Sequence, residues 1–151
     1  MNTQLLNNTL LWSAVCAWFV AQFLKTLIHT LLHKSFQAER LVGSGGMPSS
    51  HSATVCALST AACVLYGADS PIFALSFIFA MIVMYDAIGV RRETGIQAKL
   101  LNDILKLFED MGRNELSANE KLKEFVGHTP LQVLAGAILG IAMGLFICYL
   151  H

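Results

Sequence analysis

Two histidines begin apolar segments of this sequence, and imidazole chemistry suits the transfer of a phosphoryl group. His51 opens a segment that runs to Tyr66, and His128 lies just before a segment that begins at Pro130. One imidazole can attack phosphorus as a nucleophile, and a second can protonate the leaving oxygen as a general acid. We therefore treat His51 and His128 as candidate catalytic residues.

A glycine-rich loop precedes His51 and has the composition of an anion-binding loop. It reads Gly43-Ser44-Gly45-Gly46-Met47-Pro48-Ser49-Ser50. Glycines let the backbone approach a ligand closely, and the N-terminus of the following helix offers free N–H groups and a positive dipole. The alternative is a flexible loop that ends in a serine N-cap. In the anion-binding interpretation, the phosphate ligands are Gly45, Gly46, Ser49 and Ser50.

Basic side chains flank the same segments. Arg40 precedes the glycine-rich loop, and Arg91 and Arg92 follow the third apolar segment. Basic groups combined with helix N-termini bind phosphate. These three arginines are therefore further candidate phosphate ligands.

The composition is that of a membrane protein. The 151 residues are 55% hydrophobic and 13% charged, with a mean hydropathy of +0.58. This is too apolar for an ordinary soluble domain of this size. The formal net charge is zero, which does not suggest a nucleic-acid partner. All four cysteines lie in apolar runs without metal-ligand spacing, which favours a packing role.

The apolar segments predict an all-α fold, an integral-membrane bundle of about four transmembrane helices in a single domain, residues 1–151. The predicted spans are residues 10–32, 51–66, 72–90 and 130–150, with loops at 33–50 and 91–129. Residues 96–111 have the spacing of an amphipathic helix, which could lie on the membrane surface or cover the end of the bundle.

Two features inside the spans predict contacts. Lys25 shares a helix face with Gln22 and is expected to face protein or water, unless it extends towards the nearer interface. Gly136, Gly140 and Gly144 recur at every fourth residue of the last span. Small residues at this spacing let a neighbouring helix approach closely. We therefore interpret the three glycines as a packing stripe, one face of the helix that contacts another helix.

The distribution of basic residues predicts the orientation in the membrane. All nine lysines and arginines outside the spans lie in the first and third loops. The positive-inside rule then places both loops in the cytoplasm and both termini outside. We expect an integral protein of a bacterial cell membrane, with its site on the cytoplasmic side.

Several strings of the sequence resemble motifs of a known family. They are Gly45-Gly46-Met47-Pro48-Ser49-Ser50-His51-Ser52-Ala53, Met84-Tyr85-Asp86-Ala87, Gly89-Val90-Arg91-Arg92, and Gly127-His128-Thr129-Pro130 with Val133 and Gly136. On these strings the chain resembles, nearly end to end, the divergent branch of the type 2 phosphatidic acid phosphatase superfamily. That superfamily is related to the vanadium-dependent haloperoxidases.

The resemblance implies a role for each candidate residue. Pro48-Ser49-Ser50-His51 is similar to the family's second motif, which makes His51 the general acid. The segment from His128 to Gly136 resembles the histidine half of the third motif, which makes His128 the nucleophile. Lys25 and Arg40 would bind the phosphate in the place of the family's first motif. Arg91 or Arg92 would supply the arginine of the third motif.

The sequence also departs from the family pattern. Gln132 stands where an aspartate would orient the nucleophilic histidine, and a neutral amide stabilises a developing imidazolium less well. Glu124, one turn before His128, is an alternative orienting group. Asp86 is interpreted as an orienting partner of Arg91 or Lys25, and a divalent-metal pair with Asp103 is the alternative.

Two functions follow from these features. The first is an acid-phosphatase-like membrane hydrolase that cleaves a lipid phosphate monoester or related phosphate through a phosphohistidine, with no metal or other cofactor. The second is a catalytically degenerate member that binds or carries a lipid phosphate, which Gln132 favours. The expected partners are the membrane and a lipid phosphate. A homo-oligomer is a further possibility.

Overall fold

The computed structural model describes residues 7–33, 46–111, 122 and 127–150. They form five α-helices: α1 Thr9–His33, α2 Ser50–Tyr66, α3 Pro71–Ile88, α4 Val90–Asp110 and α5 Pro130–Leu150. These ranges contain no β-strand. The predicted all-α fold class is confirmed.

Three helical segments in the described part of the chain are long and apolar enough to cross a membrane. They are Thr9–Leu31, Pro71–Phe108 and Pro130–Leu150. Helix α2 has 17 residues, so its length is about 26 Å, somewhat less than the ~30 Å hydrocarbon core. The chain is therefore a helical membrane protein, and a fourth span at α2 stays a prediction.

Helix α2 is the centre of the bundle and contacts α1, α3 and α5. The core around it is built from small side chains, because Ala17 and Ala21 of α1 pack against Ala53 and Ala57 of α2. Side chains this small bring the helix backbones close together. Close packing of backbones is the usual source of helix association in membranes, where apolar burial adds little.

The glycines of α5 lie directly against the backbone of α2. A Cβ added at Gly140 would overlap the Ala53 carbonyl oxygen, and one added at Gly144 would lie 2.8 Å from the Ala57 carbonyl oxygen. Gly136 meets the Ser49 carbonyl oxygen in the same way. The predicted packing stripe is confirmed, and it fixes the height of α5 relative to the start of α2.

Helices α3 and α4 are separated by a single residue. Gly89 has φ −89° and ψ −96°, which interrupts the helix between Ile88 and Val90. The amphipathic helix α4 therefore starts at Val90, earlier than the residue 96 that its apolar spacing indicated. Further along α4, the Asn102 side chain holds the Leu122 backbone by two hydrogen bonds of 3.0 and 3.1 Å.

Candidate functional site

The two candidate histidines lie side by side. Their ring centroids are 6.0 Å apart, and the ring planes are inclined by 60°. His51 is the second residue of α2, and His128 precedes α5 and is only 2% exposed. The packing of α5 on α2 therefore brings together two residues that are far apart in the sequence.

The backbone of His128 is fixed by the junction between α3 and α4. Its N–H donates to the Ala87 carbonyl oxygen at 3.1 Å. A Cβ added at the preceding Gly127 would overlap the backbone of Arg92. Glycine is required at 127 by this close approach, so the histidine enters the site with little freedom to move.

Gln132 holds the His128 ring and also caps α5. Its Oε1 accepts from the Thr129 N–H at 3.1 Å, while the Thr129 hydroxyl accepts from the Gln132 N–H at 3.4 Å. This reciprocal pair is a capping box. The same Oε1 lies 3.2 Å from His128 Nδ1. Since an atom that accepts from a backbone N–H must be the amide oxygen, Nδ1 carries the hydrogen and Nε2 keeps its lone pair.

The surroundings of His128 favour its neutral form. Burial lowers the pKa of His128 below the ordinary 6.5, and the charges of Lys25, His51 and Arg91 lower it further. The hydrogen bond that His128 Nδ1 donates to Gln132 Oε1 acts in the opposite direction and raises the pKa. A neutral imidazole with a free Nε2 is the form that can act as a nucleophile.

Lys25 is buried inside the helix bundle. It is 3% exposed, and a Cβ added at Gly46 would lie 3.2 Å from Lys25 Cγ. Gly46 has φ +87°, a left-handed conformation that favours glycine. The charge of Lys25 acts on both His51 and His128. We call His51, His128, Lys25 and Arg91 the histidine cluster.

The two adjacent arginines have different surroundings, and both lie close to His128. Arg91 Nε lies 2.6 Å from Asp86 Oδ2, and the Arg91 charge acts on both histidines. Arg92 lines a cavity of about 270 Å³ together with Lys99 and His128. Arg91 acts on both histidines and pairs with Asp86, whereas Arg92 shares a cavity with His128. Phosphate binding by either arginine stays a prediction.

Ser49 and Ser50 form the start of α2, and Ser49 is held there by hydrogen bonds within the protein. The Ser49 hydroxyl accepts from the Ser52 N–H at 3.4 Å and from the Ser52 hydroxyl at 3.1 Å, which makes it the N-cap. The Ser49 N–H donates to the Gln132 carbonyl oxygen at 3.0 Å. Ser50 is 3% exposed. Phosphate binding by these serines stays a prediction, and Arg40, Gly45 and Glu124 lie outside the described residues.

One buried polar atom near the cluster was not singled out by the sequence. Gln22 is 5% exposed, and its Oε1 has no hydrogen-bond partner among the described residues. Gln22 lies one turn before Lys25 on the same face of α1. The shared face was visible in the sequence, but the unsatisfied oxygen appears only with the packing.

The fold and this cluster define a helical membrane protein whose histidines, lysine and arginine gather at one end of the bundle. The model of the Divergent PAP2 family matches residues 6–143, and the chain belongs to that family. The uncharacterized membrane protein YuiD of Bacillus subtilis (strain 168) is 40% identical over 157 residues, which cover 97% of this chain and 98% of the relative. No solved structure matches the chain. The resemblance found in the sequence is confirmed.

Replacing Lys25 with methionine tests whether the cluster binds phosphate. Methionine keeps an unbranched apolar stem against Gly46 but removes the charge. We expect vanadate or phosphate to bind the purified variant roughly ten- to a hundredfold more weakly, because a hydrogen bond to a charged group contributes about 1.5–3 kcal/mol. Lys106→Met, on the exposed part of α4, is the control and should bind normally. Equal affinity in the two variants would contradict a role for Lys25.

Proposed function

We propose that this protein is an integral-membrane phosphatase that hydrolyses a lipid phosphate monoester through a phosphohistidine. The observation that carries the proposal is the buried His128, whose Nδ1 faces Gln132 Oε1 at 3.2 Å while its ring lies beside His51. This arrangement leaves Nε2 as the nucleophilic nitrogen. Membership of the Divergent PAP2 family supports the same chemistry.

The proposed reaction has two steps. In the first, His128 Nε2 forms a bond to phosphorus, the bond from phosphorus to the leaving oxygen breaks, and protonated His51 gives that oxygen its proton. The negative charge of the bound phosphate favours the protonated form of His51. In the second, His51 takes a proton from water, the resulting oxygen attacks phosphorus, and the bond to Nε2 breaks to release phosphate.

Lys25 and Arg91 supply the positive charge in both steps. Both act electrostatically on the histidine pair, so a phosphoryl group between the rings would lie within their field. Fixed charges in a buried site stabilise the oxygens of a transferring phosphoryl group. Arg91 is also paired with Asp86, and both side chains of this pair are partly open to solvent.

A second candidate function rests on the neutrality of Gln132. Its oxygen orients the His128 ring but offers no negative charge to the imidazolium that forms during attack. A family member that binds or carries a lipid phosphate without hydrolysing it would need only the anion site. The two functions differ in whether a phosphohistidine forms.

We also propose that the site faces the cytoplasm. Arg91 and Arg92 lie at the end of the bundle that holds the histidine cluster, and Lys99 and Lys106 follow on α4. With the other basic loop residues, they satisfy the positive-inside rule for that side. A substrate in the inner leaflet would then present its phosphate to the cluster.

The proposed function is tested by measuring phosphate release from a panel of lipid phosphates by the purified protein, with vanadate as inhibitor.

His51→Ala tests the role of His51 as general acid. This variant should hydrolyse an alkyl phosphate about 10²–10⁴ times more slowly than the wild type, because a basic leaving oxygen needs a proton. Hydrolysis of 4-nitrophenyl phosphate, whose leaving group is weakly basic, should fall much less. An equal loss with both substrates would contradict the assignment of His51.

A further inference from the structure

An apolar groove runs along the bundle between α2, α3 and α5. It encloses about 350 Å³. Its lining comes from residues 56–64 of α2, residues 73–84 of α3, and Ile141 and Leu145 of α5. Nearly all of the lining atoms are apolar, so the groove suits a hydrocarbon and offers little to a polar ligand.

The groove exists because the side chains on its floor are smaller than those on its walls. Its floor contains the small buried residues Ala80 and Cys56, which are 3% and 8% exposed. Its walls contain larger residues, and Phe77 and Met81 are about half exposed towards the membrane. From Phe73 to Met84 the lining covers about 16 Å of α3, more than half of the ~30 Å hydrocarbon core. One hydrocarbon chain laid along the helices fits this shape.

One end of the groove approaches the histidine cluster, although no residue of the cluster lines the groove. At this end, Cys56 Sγ in the floor lies 3.8 Å from Met84 Sδ. Met84 is two residues before Asp86, the partner of Arg91. Cys56 is five residues after His51 on α2, a distance of about 7.5 Å along the helix. The helices that carry the polar cluster therefore continue directly into the apolar lining.

We infer that this groove holds the hydrocarbon chain of the lipid whose phosphate binds at the histidine cluster. The inference rests on lipid-phosphate binding, the part of the proposed function that both candidate functions share, and not on hydrolysis. The bilayer delivers such a chain from the open side of the groove, and the polar end fixes the position of the headgroup. The groove residues then select the length and shape of the chain.

Photolabelling in vesicles tests the inference. The probes are phosphatidic acid and phosphatidylcholine that carry the same diazirine-bearing acyl chain, each incorporated into phosphatidylcholine vesicles with the protein. We expect the phosphatidic acid probe to label groove residues severalfold more than the phosphatidylcholine probe, and unlabelled phosphatidic acid to compete. Equal labelling by both probes would show ordinary bilayer lipid in the groove and would overturn the inference.

Two neighbouring substitutions give a matched pair. Met81→Trp fills the groove from its exposed wall, whereas Ile82→Trp adds the same ring to an exposed position that does not line it. Labelling by the phosphatidic acid probe should fall severalfold in Met81→Trp and should not change in Ile82→Trp. An equal effect of the two substitutions would contradict a chain in the groove.

Kinetics separate this inference from the phosphatase proposal. Met81→Trp should raise KM for a long-chain lipid phosphate severalfold and leave KM for 4-nitrophenyl phosphate unchanged. Selective labelling without hydrolysis of any substrate would refute the phosphatase and retain the groove. Hydrolysis of lipid phosphates with equal labelling by both probes would refute the groove and retain the phosphatase.

Discussion

His128→Ala is expected to abolish hydrolysis of lipid phosphates and to eliminate an acid-labile phosphoenzyme. The imidazole supplies the nucleophile, and the neighbouring His51 lacks the Gln132 contact that leaves His128 Nε2 free. Brief incubation with a radiolabelled lipid phosphate, followed by quenching at alkaline pH, measures the phosphohistidine. Because His128 is 2% exposed, His128→Asn is included as a polar replacement that is expected to fold and to lose the phosphoenzyme as well.

Gln132→Glu is the matching gain-of-function variant. Glutamate has the reach of glutamine, so its carboxylate can accept from both His128 Nδ1 and the Thr129 N–H. The added charge should stabilise the imidazolium that forms in the transition state. A hydrogen bond to a charged group contributes about 1.5–3 kcal/mol, so the rate should rise roughly ten- to a hundredfold. The family pattern in the sequence pointed to aspartate, but aspartate is one methylene shorter and would weaken both contacts. If neither wild type nor Gln132→Glu forms a phosphohistidine, binding without hydrolysis takes the place of the phosphatase.

The pH dependence of the rate follows from the same residues. The neutral form of His128 attacks, so the rate should fall as the pH decreases through its pKa. Burial and the charges of Lys25, His51 and Arg91 place that pKa below 6.5, so the acid limb should lie below that value. In Gln132→Glu the carboxylate raises the pKa of His128, and the acid limb should move to higher pH. A limb that stays in place would contradict the contact between residue 132 and His128.

Gly140→Leu is expected to have the largest effect on stability. Even a Cβ at this position overlaps the Ala53 carbonyl oxygen, which belongs to the backbone of α2 and cannot move aside. Leucine would therefore force α5 away from α2 and separate His128 from His51. Thermal unfolding in detergent measures the change, and we expect no cooperative transition for this variant.

Two controls accompany the glycine variant. Ala142→Leu places the same side chain on the exposed face of α5 and should unfold like the wild type. Gly144→Ala should cost less than Gly140→Ala, because its added Cβ would lie 2.8 Å from the Ala57 carbonyl oxygen. Overpacking by a single methyl group usually costs about 1–3 kcal/mol. Equal melting of Gly140→Leu and Ala142→Leu would contradict the role of the stripe.

The sequence by itself determined the features that depend on local pattern. Long apolar runs specify helices in a membrane, because only a helix satisfies its own backbone hydrogen bonds there. Glycines at every fourth residue of α5 define a face for close packing, whichever helix it meets. The strings around His51 and His128 identified the family and put each histidine at the start of a helix.

Only the tertiary structure decided which of these residues meet. Adjacent residues of a helix point about 100° apart, so only the packing of α4 decides that Arg91 acts on both histidines while Arg92 lines a cavity with His128. Gln132 looked like a lost aspartate, but its contacts show that it caps α5 and orients His128 at the same time. The 6.0 Å separation of the two rings depends on the contact of α5 with α2 and on Gly127 against Arg92. Such contacts join distant parts of the chain, and no local periodicity encodes them.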